Sequence, residues 1–383
     1  MKILLGGNEV CGFLKTYQNE FEKLGHQVAS AIYTPDVYFP HYNYDFYLND
    51  YGLKIKPSIF GKEITILKKI FNKIKQYRIK KQFVEREAIK YDLIIFIWRS
   101  FLNDNSDLPF LNKNGSKIVF LFLGSEVRYN NFFLRKYDMQ GLNLNFLLNH
   151  PLTLTKIENR LKFVRTIEKY SHLIYSAPDM DGLQKRPYYH VPAVMNISKY
   201  PFKNNYRKTP VVIHAPSQPG KKGTDVIETT LNKLKNEGVK FEYLRLENIP
   251  NNKVIDFLMD GDILVDELIF HGPGILAFEA MLCGCAVATR HLAEFSHIFG
   301  PPVVNITVQN IYDQVKRLIV DYDLRQQYII KGREYSEKNN DAHTIAKKML
   351  ENIKNPRKPD YFPETELAYF DEDEKSILSN FDY

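Results

Sequence analysis

Two short stretches combine residue types and spacings suited to holding an anion. In the first, Gly272-Pro273-Gly274 opens an apolar helical pattern that runs from Ile275 to Cys283 with a single acid, Glu279. A helix N-terminus carries unpaired backbone N–H groups and the positive end of the helix dipole, so it favours anions. In the second, the apolar run 211–215 gives way to Ser217-Gln218-Pro219-Gly220-Lys221-Lys222-Gly223-Thr224, and a helical pattern follows from Asp225. Lys222 at that turn supplies a point charge. Glu279, about a turn and a half into its own helix, is placed to accept hydrogen bonds from a diol such as ribose, because an acid on an otherwise apolar helix needs a partner. The plainer alternatives are a surface lysine and a core carboxylate tied to a neighbour. Two such loops in one half of the chain suggest a diphosphate held between them.

The elements that position these residues follow from hydrophobic periodicity. Strand-like runs at 2–5, 27–32, 93–98, 118–123 and 173–176 alternate with helical patterns, notably 11–24 and 156–170. Farther along, strands are expected at 211–215, 241–246, 263–265, 286–289 and 303–306, with helices near 225–237, 253–259, 275–283, 311–321 and 342–353. Such alternation makes helices packed on a largely parallel sheet. The pattern lapses between His190 and Pro210, which reads as a flexible connection. We therefore expect an α/β chain of two facing doubly wound Rossmann-like domains, residues 1–205 and 206–353, with a cleft between them and an acidic tail over 354–383. The tail, densest at Asp371-Glu372-Asp373-Glu374, reads as a poorly ordered extension or a strap on the basic surface. After the first strand, Gly6-Gly7-Asn8 makes either a plain tight turn or a place where backbone approaches a ligand.

The chain has 383 residues, 44% of them apolar, enough for two cores of ordinary size. Its net charge of +7 suits anionic company. Between Lys68 and Arg86 eight basic residues face one acid, Glu85, while Leu67, Ile70, Phe71, Ile74 and Tyr77 fall at helical spacing. This basic amphipathic helix is suited either to an anionic membrane surface or to covering its own domain. Cys11, Cys283 and Cys285 are the only cysteines. The close pair lies at a helix-to-strand junction where a disulfide would strain the backbone, so all three read as reduced thiols. No secretory leader pattern precedes the first strand, and the longest apolar run, 93–98, is too short to span a bilayer. The expectation is a cytoplasmic protein with at most peripheral contact at the inner face of a membrane.

The stretch from His214-Ala215-Pro216-Ser217 through Lys222-Gly223-Thr224-Asp225, then Asp262 to Leu268, then Gly272-Pro273-Gly274 through Phe278-Glu279-Ala280-Met281 and Gly284, resembles the donor domain of the retaining GT-B glycosyltransferases of family 4. Upstream, Phe122-Leu123-Gly124-Ser125-Glu126-Val127-Arg128 is similar to an element that some of these proteins carry after an N-domain strand. The resemblance covers most of residues 1–353 and is strongest over 211–290. It implies the GT-B fold and transfer of a sugar, with retained configuration, from a nucleoside diphosphate sugar to a glycan or lipid-linked glycan in surface polysaccharide or glycoconjugate biosynthesis. It implies no metal and no cofactor beyond the nucleotide sugar, and no nucleic-acid partner is expected. On this reading Lys222, with Ser217, Lys221, Gly223, the Gly6-Gly7 turn and the Pro273-Gly274-Ile275 helix start, holds the diphosphate, and Glu279 holds the ribose. Glu247 and Asn248 border the base, while His271, Glu126 and Arg128 contact sugar or acceptor. The chain departs from the family pattern where a Glu-x7-Glu motif would place its first acid, which here is His271. An Arg that often precedes the Lys-Gly pair is also missing. Two rival expectations share the architecture: a catalytically silent nucleotide-sugar-binding subunit and a nucleotide-sugar epimerase.

Overall fold

The computed structural model describes residues 1–34, 39, 41–49, 66–145, 154–364 and 366–381. The chain divides into two compact units. The first gathers Met1–Tyr129, Leu154–Val191 and Ala346–Tyr383, and the second Asn130–Thr153 and Pro192–Ile345.

In the first unit β1 (Lys2–Gly7), β2 (Gln27–Ile32), β3 (Phe46–Tyr47), β4 (Leu93–Ile97), β5 (Lys117–Leu121), β6 (Leu173–Ser176) and β7 (Tyr189–His190) form one sheet in the order β3-β2-β1-β4-β5-β6-β7. Its strand pairs are parallel. All five residues of β4 are buried, the pattern of a strand covered on both faces. The chain builds outward from β1 to β2 and β3, then crosses back to β4 and builds the other way, so β1 and β4 flank the switch point where doubly wound sheets bind ligands. Gly7 ends β1 at φ +107°, and a Cβ there would lie 2.1 Å from the Ile97 carbonyl oxygen, so packing alone requires this glycine.

The described residues of the expected tail, 354–364 and 366–381, fold into the first unit. Helix Glu372–Ser379 begins with a capping box, in which the Asp371 carboxylate accepts from the Glu374 N–H at 2.9 Å and Glu374 accepts from the Asp371 N–H at 3.0 Å. The acid cluster thus sits in the first turn, where the helix dipole favours negative charge. Glu374 is buried and also accepts from the Tyr129 hydroxyl, and the buried Phe370 ring stacks on Tyr129 at 5.8 Å.

The second unit holds β8 (Val211–His214), β9 (Glu242–Arg245), β10 (Ile263–Val265), β11 (Ala286–Thr289) and β12 (Val304–Asn305), parallel and ordered β12-β11-β10-β8-β9. Alternate strand residues feed two cores, as the twofold pleat demands. Ile213, Leu264 and Val287 pack with Phe278 and Leu258, whereas Val212, Ile263, Val265, Ala286 and Ala288 pack with Ile227, Leu231 and Val315. The expected flexible connection is pinned to this unit: Met195 N–H donates to the Asn340 carbonyl at 2.8 Å, Ala342 N–H to Met195 at 2.9 Å and Lys203 N–H to Cys283 at 3.2 Å. Cys283 and Cys285 are free and buried, and burial pushes the Cys283 thiol up to about 12. Among the described residues no helix is long and apolar enough to cross a membrane.

Candidate functional site

At the carboxyl ends of β8 and β10 the two anion-favouring stretches meet. The loop after β8 forms the short helix Pro219–Lys222, turns at Gly223 in the left-handed region, and enters helix Thr224–Asn236. Leu268 N–H donates to the Lys222 carbonyl at 3.2 Å, which ties this turn to the residues after β10. The Lys222 ammonium lies 2.9 Å from Asp266 Oδ1 and 2.9 Å from Glu267 Oε2. Burial alone would lower its pKa, but the two carboxylates outweigh that and hold it above the usual lysine range. Burial in turn raises Glu267, against the pull of Lys222 and with the push of Asp266. Lys222 is therefore clamped by two acids instead of standing free for a diphosphate. Asp266 Oδ2 is buried without a hydrogen-bond partner and would lie 3.9 Å from a Cβ on Gly274. Gly274 is the N-cap of helix Ile275–Cys283, and no side chain caps that end. Ser217 and Lys221 are exposed on the same loop, while Pro273 is buried and Ile275 half-buried.

Glu279 is also already engaged. It is buried, and its oxygens accept from Asn251 Nδ2 at 3.0 and 3.2 Å and from the Tyr200 hydroxyl at 3.1 Å. Burial pushes its carboxyl up to about 7 although both donors pull it down. Glu247 and Asn248 form the exposed turn just before helix Asn251–Met259, so they stand a few residues from the amide that holds Glu279. Glu247 pairs with Arg245 at 2.9 Å. His214, at the end of β8, is bonded on both ring nitrogens, to Val265 O at 2.7 Å and Thr224 Oγ1 at 2.8 Å, and serves to join strand and helix.

His271 lies in an aromatic cluster. Its ring is 4.2 Å from that of Tyr137 and 5.3 Å from that of Phe133, both contributed by the segment that opens with helix Asn130–Lys136. Arg290, after β11, secures the same segment by donating to the Asp138 carbonyl at 2.5 Å while bonding Leu268 O at 3.1 Å.

The other expected residues belong to the first unit. Glu126 accepts from the Leu123 N–H through Oε1, while Oε2 is buried without a partner; burial pushes the carboxyl up to about 7. Arg128 is buried and paired with Asp179 at 2.9 Å. Gly6 and Gly7 are accounted for by close packing against Phe101 and Ile97. The N-terminus of helix Phe13–Lys23 beyond them is filled by the protein's own Glu9, which accepts from Leu14 N–H at 3.2 Å, Lys15 N–H at 3.1 Å and Tyr44 OH at 2.9 Å.

Sequence reasoning passed over Asn251, Tyr200 and the acid pair Asp266-Glu267. The pair carried a readable signal: two adjacent acids directly after a buried strand demand a cation.

No family model and no curated protein matches the sequence. Among solved structures, sucrose-phosphate synthase from Thermosynechococcus elongatus is similar with a TM-score of 0.60 at 12% identity, over 92% of this chain and 98% of that one. WaaG, a glycosyltransferase involved in lipopolysaccharide biosynthesis, matches at 0.52 and 12% identity, over 93% and 100%. UDP-GlcNAc 2-epimerase from Neisseria meningitidis, bound to UDP-GlcNAc, matches at 0.52 and 13% identity, over 92% and 99%. Such identities speak for fold alone. With its two parallel sheets and these neighbours, the chain has the GT-B fold.

Proposed function

We propose that the chain is a glycosyltransferase that moves a sugar from a nucleoside diphosphate sugar to a glycan or lipid-linked glycan, with retention, in surface glycan biosynthesis. The observation that carries this reading is the meeting of the Lys222-Gly223 turn, the Asp266–Leu268 segment and the uncapped start of helix Ile275–Cys283 at the carboxyl ends of β8 and β10. The diphosphate takes the helix start, and Lys222 shifts from its acids toward the departing charge. Glu279 exchanges Asn251 or Tyr200 for the ribose diol, with Glu247 and Asn248 bordering the base. The acceptor hydroxyl attacks on the face the diphosphate leaves, and a departing phosphate oxygen takes the proton. The protein positions reactants and stabilises charge, and the reading routes no step through a metal. Buried reduced thiols accord with a reducing compartment.

Incubation with uridine and guanosine diphosphate sugars tests the reading. Acceptor-dependent release of nucleoside diphosphate is the expected result. Isomerised donor without an acceptor would replace it with the epimerase reading, which the epimerase neighbour favours. Binding with no turnover would replace it with a silent subunit, favoured by His271 packed against Tyr137 where the family motif has an acid.

A further inference from the structure

A second cationic site stands in the first unit, at the carboxyl ends of the adjacent strands β2, β1 and β4. Tyr33 follows β2, Asn8 follows β1 and Arg99 follows β4. The Arg99 guanidinium carbon lies 3.7 Å from the centre of the Tyr33 ring, and the Lys80 ammonium, from helix Ile66–Arg86, lies 4.3 Å from it. Arg99 Nε donates to Asn8 Oδ1 at 3.0 Å, and the Tyr33 hydroxyl is anchored on Ser100 O at 2.5 Å. Among the described residues neither cation has a carboxylate partner, and both Arg99 terminal nitrogens are without a hydrogen-bond acceptor. The acid whose charge reaches Tyr33 is Asp107, and its oxygens are taken by Ser100 Oγ at 2.8 Å and Phe101 N–H at 2.7 Å.

Contact with the aromatic ring holds each cation in place. It does not offset two like charges kept half-buried on one ring. Burial, then the Arg99 charge, pushes the Lys80 ammonium down to about 8. The backbone is bent to make this arrangement. Trp98 has φ +74°, and the Arg99 N–H reaches back to the Ile97 carbonyl at 2.9 Å, a strained three-residue turn that sets where Arg99 begins.

We propose that Arg99 and Lys80, steadied by Tyr33 and Asn8, receive a phosphoryl group carried by the acceptor; the word acceptor rests on the transferase reading above, the anion site does not. A guanidinium with two free terminal nitrogens matches two phosphoryl oxygens, and the ammonium supplies a second charge. Trp98 is the single tryptophan of the chain, so its fluorescence reports on this turn.

The test titrates the full chain with glucose 6-phosphate, glucose and uridine diphosphate, following Trp98 emission and heat. Glucose 6-phosphate is expected to bind and change the emission, and glucose is not. Arg99→Gln and Lys80→Gln are each expected to weaken glucose 6-phosphate about tenfold, as for loss of a charge-assisted contact. Arg99→Lys retains part of the binding and guards against misfolding of the Gln variant. Uridine diphosphate affinity is expected to stay within about twofold in these variants. Absence of glucose 6-phosphate binding, or binding unchanged by Arg99→Gln, overturns the proposal. So does a tenfold loss of uridine diphosphate affinity, which would give the cations to the donor. Glucose 6-phosphate binding without any uridine diphosphate binding leaves the anion site standing and removes the transferase reading.

Discussion

At the residue scale, the two groups given to the nucleotide sugar both have partners within the chain, and those partners dictate how variants behave. Removing the Lys222 ammonium leaves Asp266 and Glu267 facing each other in a buried setting. Lys222→Ala should therefore lower unfolding free energy by about 3 kcal/mol as well as weaken diphosphate binding. The double variant Lys222→Met, Glu267→Gln should recover much of the stability and none of the affinity; denaturant titration beside calorimetry separates the two effects. For Glu279, the folded carboxyl titrates near 7 against an ordinary 4.5. Between those values the folded chain holds a proton that the unfolded chain has released, so stability falls as pH rises through the window, by at most about 3 kcal/mol. Glu279→Gln should raise Tm more at pH 8 than at pH 5. The wild type should bind uridine diphosphate more weakly as pH falls from 8 to 6 and its carboxylate protonates, while the Gln variant binds weakly throughout. A pH-independent wild-type affinity would remove Glu279 from the ribose.

At the element scale, strand and helix positions were readable where a run is almost wholly apolar, as in β10 and helix Ile275–Cys283. Helix Tyr322–Asn339 was not, because its buried face is Arg325, Ile329, Gly332 and Ser336. Those positions recur at helical spacing but show a single apolar side chain of any size. Gly332 lets the helix approach Met281, where a Cβ would come within 3.0 Å, and the terminal nitrogens of Arg325 donate to the carbonyls of Leu318, Ile319 and Arg207 while its Nε stays buried without a partner. The same blindness hid the site's wiring: that Lys222 reaches Asp266, or Asn251 reaches Glu279, depends on which strands lie side by side. Helix Ile66–Arg86 is where the sequence left two readings open. Leu67, Ile70 and Phe71 of its expected stripe lie outside the residues whose side chains are described. Ile79, Phe83 and Val84 are buried, whereas Ile74 and Tyr77 are 48% and 41% exposed. We propose that the exposed end of this helix contacts anionic membrane. Sedimentation with anionic vesicles should show salt-sensitive binding, lost on reversing Lys73, Lys75 and Lys81, and none with neutral vesicles. Binding that survives charge reversal would leave the helix as a cover for its own unit.

At the scale of the whole molecule, the segment past residue 359 belongs to the fold, since Tyr361, Phe370 and Leu378 are buried and Glu374 holds Tyr129. Phe370→Ala should cost about 3 kcal/mol. Cutting the chain after Pro359 should lower Tm and expose the first unit to protease, instead of simply unmasking basic surface. An unchanged melting curve after that cut would show the packing to be dispensable.

The order of the chain then constrains the order of assembly. Residues 192–345 are contiguous within the second unit, whereas the first unit is completed by residues that come after them. During synthesis, β8 to β12 and their helices can collapse while the first unit still lacks Phe370 and its final helix. The half that starts emerging first is thus the half that finishes last, and until then it presents the uncovered Tyr129 face to the chaperones that meet nascent chains.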